Sequence, residues 1–186
     1  MQFLFFRSVS LADINHSMPA KEYSDEDKIA QATTLRELGN EFYKAKKFFE
    51  AKQAYRNSLY WSGITGFKTE EAQTKKTEMA GKIISNLSAI HFFERNWATT
   101  VTCCNQVVKM CETTDNIVKN INTVYLRLAE TQERQNNFCL SNQAIDLIND
   151  PTAPEEKRIK IIQDRIASKT KKNDEVMSKR LKNLFA

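Results

Sequence analysis

Apolar and small residues recur three and four positions apart through the first third of the chain. Leu35, Leu38, Gly39 and Phe42 form one stripe, and Phe48, Ala51 and Tyr55 form a second after the polar break Ala45-Lys46-Lys47. This spacing lays one apolar face along an α-helix. It predicts a helix from Ser24 to Ala45, a short turn, and a partner helix from Phe48 to about Trp61. Ser24 precedes Asp25-Glu26-Asp27, an N-cap followed by acidic first-turn residues that complement the helix dipole. Gly39 and Ala51 lie in the two stripes, where nearly absent side chains let facing helices approach closely.

The pattern returns twice. Glu70 to Phe93 carries Leu87, Ser88 and His91, and after a turn at Asn96 the chain carries Trp97, Thr100, Cys104 and Val107. A third pair is predicted over Asn116 to Arg134 and Phe138 to Ile148, with Leu128, Ala129, Gln132, Phe138, Ser141, Ile145 and Ile148 in matching places. The matching starts fall near Ala32, Gly81 and Asn122, intervals of 49 and 41 residues. A tetratricopeptide helix–turn–helix repeat is about 34 residues long, so the connections between pairs are lengthened. The prediction is an all-α fold in which three such repeats, residues 24–150, form a right-handed superhelix. Pro151 and Pro154 end the third pair. Glu155 to Phe185 then reads as an amphipathic helix with Ile159, Ile162, Ile166, Val176, Leu181 and Leu184 as its apolar positions. We assign residues 151–186 as a capping helix, because a repeat array must cover its last apolar face. Its end, Lys179-Arg180-Leu181-Lys182-Asn183-Leu184-Phe185, also suits a basic membrane or calmodulin-type segment. Residues 1–23 are set apart as a linker. Within them Phe3–Val9 has the composition of a strand, which is unstable alone; it reads either as a segment docked on the helices or as the last strand of a preceding domain.

Composition narrows the function. Four Gly and three Pro in 186 residues favour long helices over turns. The net charge of +5 is spread along the chain, which does not call for nucleic acid and is equally compatible with an acidic protein partner. Cys103, Cys104, Cys111 and Cys139 have no CxxC spacing and no clustered histidines, so no metal is expected and the cysteines read as buried free thiols of a reducing compartment. No apolar run approaches the about 18 residues that span a bilayer, and the start lacks the basic flank of a secretory signal. A cytoplasmic location is expected. No Ser-His-Asp set, HExxH, catalytic carboxylate pair or phosphate loop is present. Ser62-Gly63-Ile64-Thr65-Gly66 lacks the Lys-Ser/Thr of such a loop and reads as a turn. No enzymatic activity and no cofactor are expected.

With the first helix of each pair lining one groove, Arg36, Asn40, Asn86 and Arg127 face inward. Taken singly, each suits an ordinary solvated helix face. At corresponding repeat positions, two guanidiniums and two amides suit a carboxylate, which accepts several charge-assisted hydrogen bonds. A C-terminal aspartate offers two carboxylates together. Phe92 and Phe93 are expected to form an apolar shelf for a neighbouring Val or Met, and Lys82 faces the same groove.

Arg36-Glu-x-Gly39-Asn40, Glu70-Glu-Ala-Gln, Asn86-Leu-x-Ala, Cys104-Asn105 and the final Lys-Arg-Leu-Lys-Asn-Leu-Phe together resemble the tetratricopeptide domain of the large FK506-binding-protein type immunophilin co-chaperones, from about Met18 onward. Phe3–Val9 resembles the last strand of that family's isomerase domain. The resemblance implies a carboxylate clamp for the Glu-Glu-Val-Asp tail of heat-shock protein 90 or heat-shock protein 70. Arg36, Asn40, Asn86 and Arg127 fall at clamp positions. Thr123 stands where the family has a lysine, and Lys119, expected one helical turn earlier, is a candidate substitute. The alternatives are a degenerate scaffold for another or an internal peptide, and the non-catalytic part of a peptidyl-prolyl isomerase.

Overall fold

The computed structural model describes residues 23–63, 68–114 and 117–184. The suggested strand at Phe3–Val9 lies outside them, as do Ile64–Gly66 of the glycine-containing turn. Among the described residues the fold is all-α, built from α1 (Asp25–Lys44), α2 (Phe48–Gly63), α3 (Glu70–Phe93), α4 (Trp97–Thr113), α5 (Asn122–Arg134), α6 (Phe138–Asp146) and α7 (Ala153–Leu184). Ser24 caps α1 through a reciprocal capping box with Asp27. Thr69 and Asn96 cap α3 and α4. These side chains take up backbone N–H groups that a helix start leaves without partners.

The helices pack as consecutive pairs, α1 with α2, α3 with α4 and α5 with α6. Each pair turns in the same way. Lys46, Arg95 and Asn136 take the left-handed conformation, with φ of 59°, 59° and 62°. The next residue in each case donates its N–H five residues back, Lys47 to Phe42, Asn96 to His91 and Asn137 to Gln132. This is the bonding of a Schellman helix end. The three turns are spaced by the 49 and 41 residues read from the side-chain pattern. Backbone and side chains therefore share one repeat.

Two apolar clusters join the pairs. Ala51, Tyr55, Ile83, Leu87 and Ile90 lock α2 to α3. Val107, Val124, Leu126, Ala129, Ile145, Ile162 and Ile166 are among those joining the later pairs to α7. Gly39 shows why a small residue is required at the α1–α2 crossing. A Cβ there would stand 2.5 Å from Tyr55 Cε1, and Tyr55 is buried. Overpacking of this kind costs about 1–3 kcal/mol, while alanine regains up to about 1 kcal/mol of helix propensity. Gly39→Ala is therefore expected to destabilise the protein by about 1–2 kcal/mol in urea unfolding. Gly63→Ala, where a Cβ meets nothing within 4 Å, should leave stability unchanged or raised.

Three expectations are corrected. α2 runs through Ser62 and Gly63, so these residues close a helix where a turn was expected. The third pair begins at Asn122, not near Asn116. Ile117 is fully buried and packs where a Cβ on Gly81 would fall; this contact holds the approach to α5 out of helical geometry. Finally, α7 covers the core only in its first half: Ile162 and Ile166 are buried, whereas Val176, Leu181 and Leu184 are exposed.

Candidate functional site: a polar cavity between α1, α3 and α5

Asn40, Tyr43, Tyr55, Asn86, Ala89 and Arg127 line a cavity of about 230 Å³. The first helix of every pair contributes to it. Asn40 Oδ1 accepts from Asn86 Nδ2 at 2.9 Å and from the Tyr55 hydroxyl at 2.8 Å. Its acceptor is thereby occupied, and its amide N–H groups are oriented by that commitment. Burial raises the Tyr55 phenol to about 12, partly offset by a hydrogen bond to Asn86 and by the nearby charge of Arg36. Tyr55 therefore stays a neutral donor and holds the amide pair in place.

Arg127 reaches back from α5 to α3. Its Nη1 donates to Ser88 Oγ at 2.6 Å and to the Ser85 carbonyl at 3.3 Å. Both acceptors are neutral. Burial pulls the guanidinium below its ordinary value, with the Cys104 thiol and the Tyr43 phenol acting in the opposite direction. The fully buried Cys104 thiol is itself pushed up, chiefly by burial, so it is not a thiolate counter-ion. Among the described residues no carboxylate pairs with Arg127. A largely desolvated cation whose bonds go only to neutral groups is a high-energy arrangement that an incoming anion relieves.

The remaining candidates are not among the residues that line this cavity. Arg36 does not line the cavity. Its Nη2 lies 3.5 Å from Glu37 Oε1, and its Nε is buried without a hydrogen-bond partner. Lys82 pairs with Glu78 on its own helix at 3.1 Å. Lys119 is exposed and precedes α5, so its expected place one helical turn before Thr123 is corrected. Thr123 lies in α5 four residues before Arg127 and is half-buried, on the same helix face.

The apolar shelf is also revised. Phe92 turns away to make an edge contact with Trp97 of α4, the ring centroids 5.6 Å apart. Phe93 instead stacks on Phe48 at 5.6 Å and meets Tyr43 at 6.4 Å. Adjacent helical residues differ by about 100° around the axis, and here Phe92 and Phe93 pack against different rings. Tyr43 and Tyr55 were not among the site residues read from the sequence. Tyr43 is three residues after Asn40, a spacing that places both on one face. Tyr55 was assigned to packing alone, yet its hydroxyl completes the site.

No protein-family model matches the chain, and no curated protein matches it. Among the described residues no helix is long and apolar enough to cross a membrane.

Proposed function

We propose that this chain is a peptide-binding module whose groove receives the free C-terminal carboxylate of a partner protein at Arg127, Asn40 and Asn86. The single observation that carries this reading is the Arg127 guanidinium, largely desolvated, bonded to the neutral Ser88 and Ser85 with no carboxylate partner among the described residues, and facing a cavity lined by two oriented amides. A carboxylate supplies both the charge and the paired acceptors that such a site lacks. The three similar turns and the alignment of α1, α3 and α5 support a tetratricopeptide superhelix as its scaffold. Together with the resemblance to immunophilin co-chaperones, they favour the acidic tail of heat-shock protein 90 or heat-shock protein 70 as ligand and a cytoplasmic role. The site binds rather than catalyses.

Calorimetry with a Glu-Glu-Val-Asp-ended peptide tests the proposal. The free-acid peptide is expected to bind about tenfold or more tighter than its amide, a difference of about 1.4 kcal/mol or more. Affinity should also fall as salt rises, because the long-range part of the attraction is screened over about 8 Å at physiological ionic strength. Equal affinity for acid and amide would exclude the reading.

Thr123 gives a gain-of-function test. In Thr123→Lys the new ammonium sits one turn from Arg127 and can reach the same anion. A partly exposed charge pair contributes on the order of 1 kcal/mol, so binding should tighten several-fold. Lysine is also the better helix former, and a parallel thermal melt separates tighter binding from better folding.

A further inference from the structure

The character of α7 changes at Lys169. Before it, Arg158 and Arg165 reach Glu130 at 3.0 and 3.5 Å, and Lys169 itself reaches the buried Glu133 at 2.9 Å. Beyond it, Lys171, Lys172, Lys179, Arg180 and Lys182 outnumber Asp174 and Glu175. Among the described residues none of these five cations is held in an ion pair. Apolar burial changes at the same point. Ile162 and Ile166 are buried, whereas Val176, Met177, Leu181 and Leu184 are exposed, Leu184 by 76 %.

The exposed residues continue the packed face. At about 100° per residue, Met177, Leu181 and Leu184 share the side of Ile162 and Ile166, and Val176 widens the arc to about 140°. Lys171, Lys172, Lys179 and Lys182 project from the opposite side. Arg180 stands within the apolar arc, where its long stem can carry the guanidinium out to a polar layer. The helix therefore runs on past Lys169 for about 22 Å, apolar on one side and basic on the other.

We infer that the distal half of α7, from Thr170 to Leu184, lies on an anionic phospholipid bilayer surface. Val176, Met177, Leu181 and Leu184 sink to the boundary of headgroups and acyl chains, and the cations are drawn to the lipid charges. An amphipathic helix with a basic polar face has this mode of binding, and a cluster of four to eight Lys and Arg on such a helix suits anionic lipid. Charge favours this occupant over a second copy of the chain, which would bring the same five cations together. Side-chain type favours it over a protein groove. Such interfaces are anchored chiefly by Trp, Tyr and Arg, and residues 170–184 hold no aromatic residue, whereas an acyl layer accepts aliphatic side chains. The arm lies on the membrane and does not cross it, since among the described residues no helix is apolar enough to span one.

Co-sedimentation of the intact chain with vesicles tests this. One set is phosphatidylcholine alone, the other equal parts of phosphatidylcholine and phosphatidylserine. Each cation near an anionic surface contributes about fivefold in partitioning, so the mixed vesicles are expected to bind tenfold or more tighter, less so as salt rises. The double variant Leu181→Gln, Leu184→Gln keeps the charge and should lose about tenfold. Both residues are exposed, so its melting temperature should match that of the natural chain. Lys179→Gln with Lys182→Gln should lose about tenfold on the mixed vesicles only. Equal binding to both vesicle sets, or undiminished binding by the leucine variant, overturns the inference. So does failure to bind either set. Dimers in sedimentation equilibrium that the leucine variant disperses would then assign the face to a second copy, and a monomer would leave it to a protein partner. No residue of α7 lines the carboxylate cavity, so tail-peptide binding stands or falls separately.

Discussion

Arg127→Ala is expected to weaken binding of a free-acid tail peptide by about 2–5 kcal/mol, the range for truncating one partner of a desolvated charge pair. In the free protein Arg127 also ties α5 to α3 through Ser88 Oγ and the Ser85 carbonyl. Its loss removes the donor to Ser88 Oγ, while the Ser85 carbonyl still accepts from the Ser88 hydroxyl at 2.7 Å; an unsatisfied Ser88 acceptor costs about 1–3 kcal/mol if water does not replace the guanidinium. Stability and binding thus fall together, and a second variant is needed to separate them. Arg127→Lys keeps the charge but not the planar fork that can hold Ser88 and a carboxylate at once. It should recover less than half of the lost binding free energy while melting closer to the natural chain. Calorimetry and thermal denaturation of both variants check this. Full affinity in Arg127→Ala would show that the tail does not enter the cavity between α1, α3 and α5.

How much of this arrangement could be read from the sequence depends on the range of the interaction concerned. The pairs were legible because their apolar stripes obey the helical period, and the register was legible because Gly39 and Ser88 occupy matching places in the first two pairs. Asn40, Asn86 and Arg127 followed from that register and do line one cavity. Failures arose where a distant contact overrode a local pattern. Residues 116–121 are compatible with a helix in isolation, but Ile117 is buried against the Gly81 crossing, and α5 starts only at Asn122, after Lys119. Arg36 does not line the cavity, and its guanidinium lies beside the neighbouring Glu37. Nothing in the spacing of Tyr55 distinguishes a packing ring from one whose hydroxyl orients Asn40, since both demand the same position. Direction around a helix decided between Phe92 and Phe93, which composition alone treats as one apolar patch.

Ile162→Ala in the first half of α7 is expected to cost about 2–5 kcal/mol, as for other buried aliphatic truncations. Ile162 is only 1 % exposed and belongs to the cluster that holds Val124, Leu126 and Ile145. Around this contact, Lys169 Nζ reaches the buried Glu133 at 2.9 Å and Arg158 reaches Glu130 at 3.0 Å. These pairs fix the register of α7 on α5. Their location sets the limit of the cap, because Val176, Leu181 and Leu184 beyond Lys169 remain exposed. Leu181→Ala, an identical aliphatic truncation, should therefore change stability by no more than about 0.5 kcal/mol. With about 2–4 °C of melting temperature per kcal/mol for a chain of this size, the first variant should melt about 4–20 °C below the natural protein and the second within about 2 °C of it. Similar losses from both substitutions would mean that the distal half of α7 also packs on the repeats. A small loss from Ile162→Ala would mean that the last pair holds its own core without the cap. Since α5 supplies both Arg127 to the cavity and Glu133 to the cap, tail binding measured in Ile162→Ala links the two ends of that helix: if the cap fixes α5, affinity should fall even though Ile162 does not line the cavity.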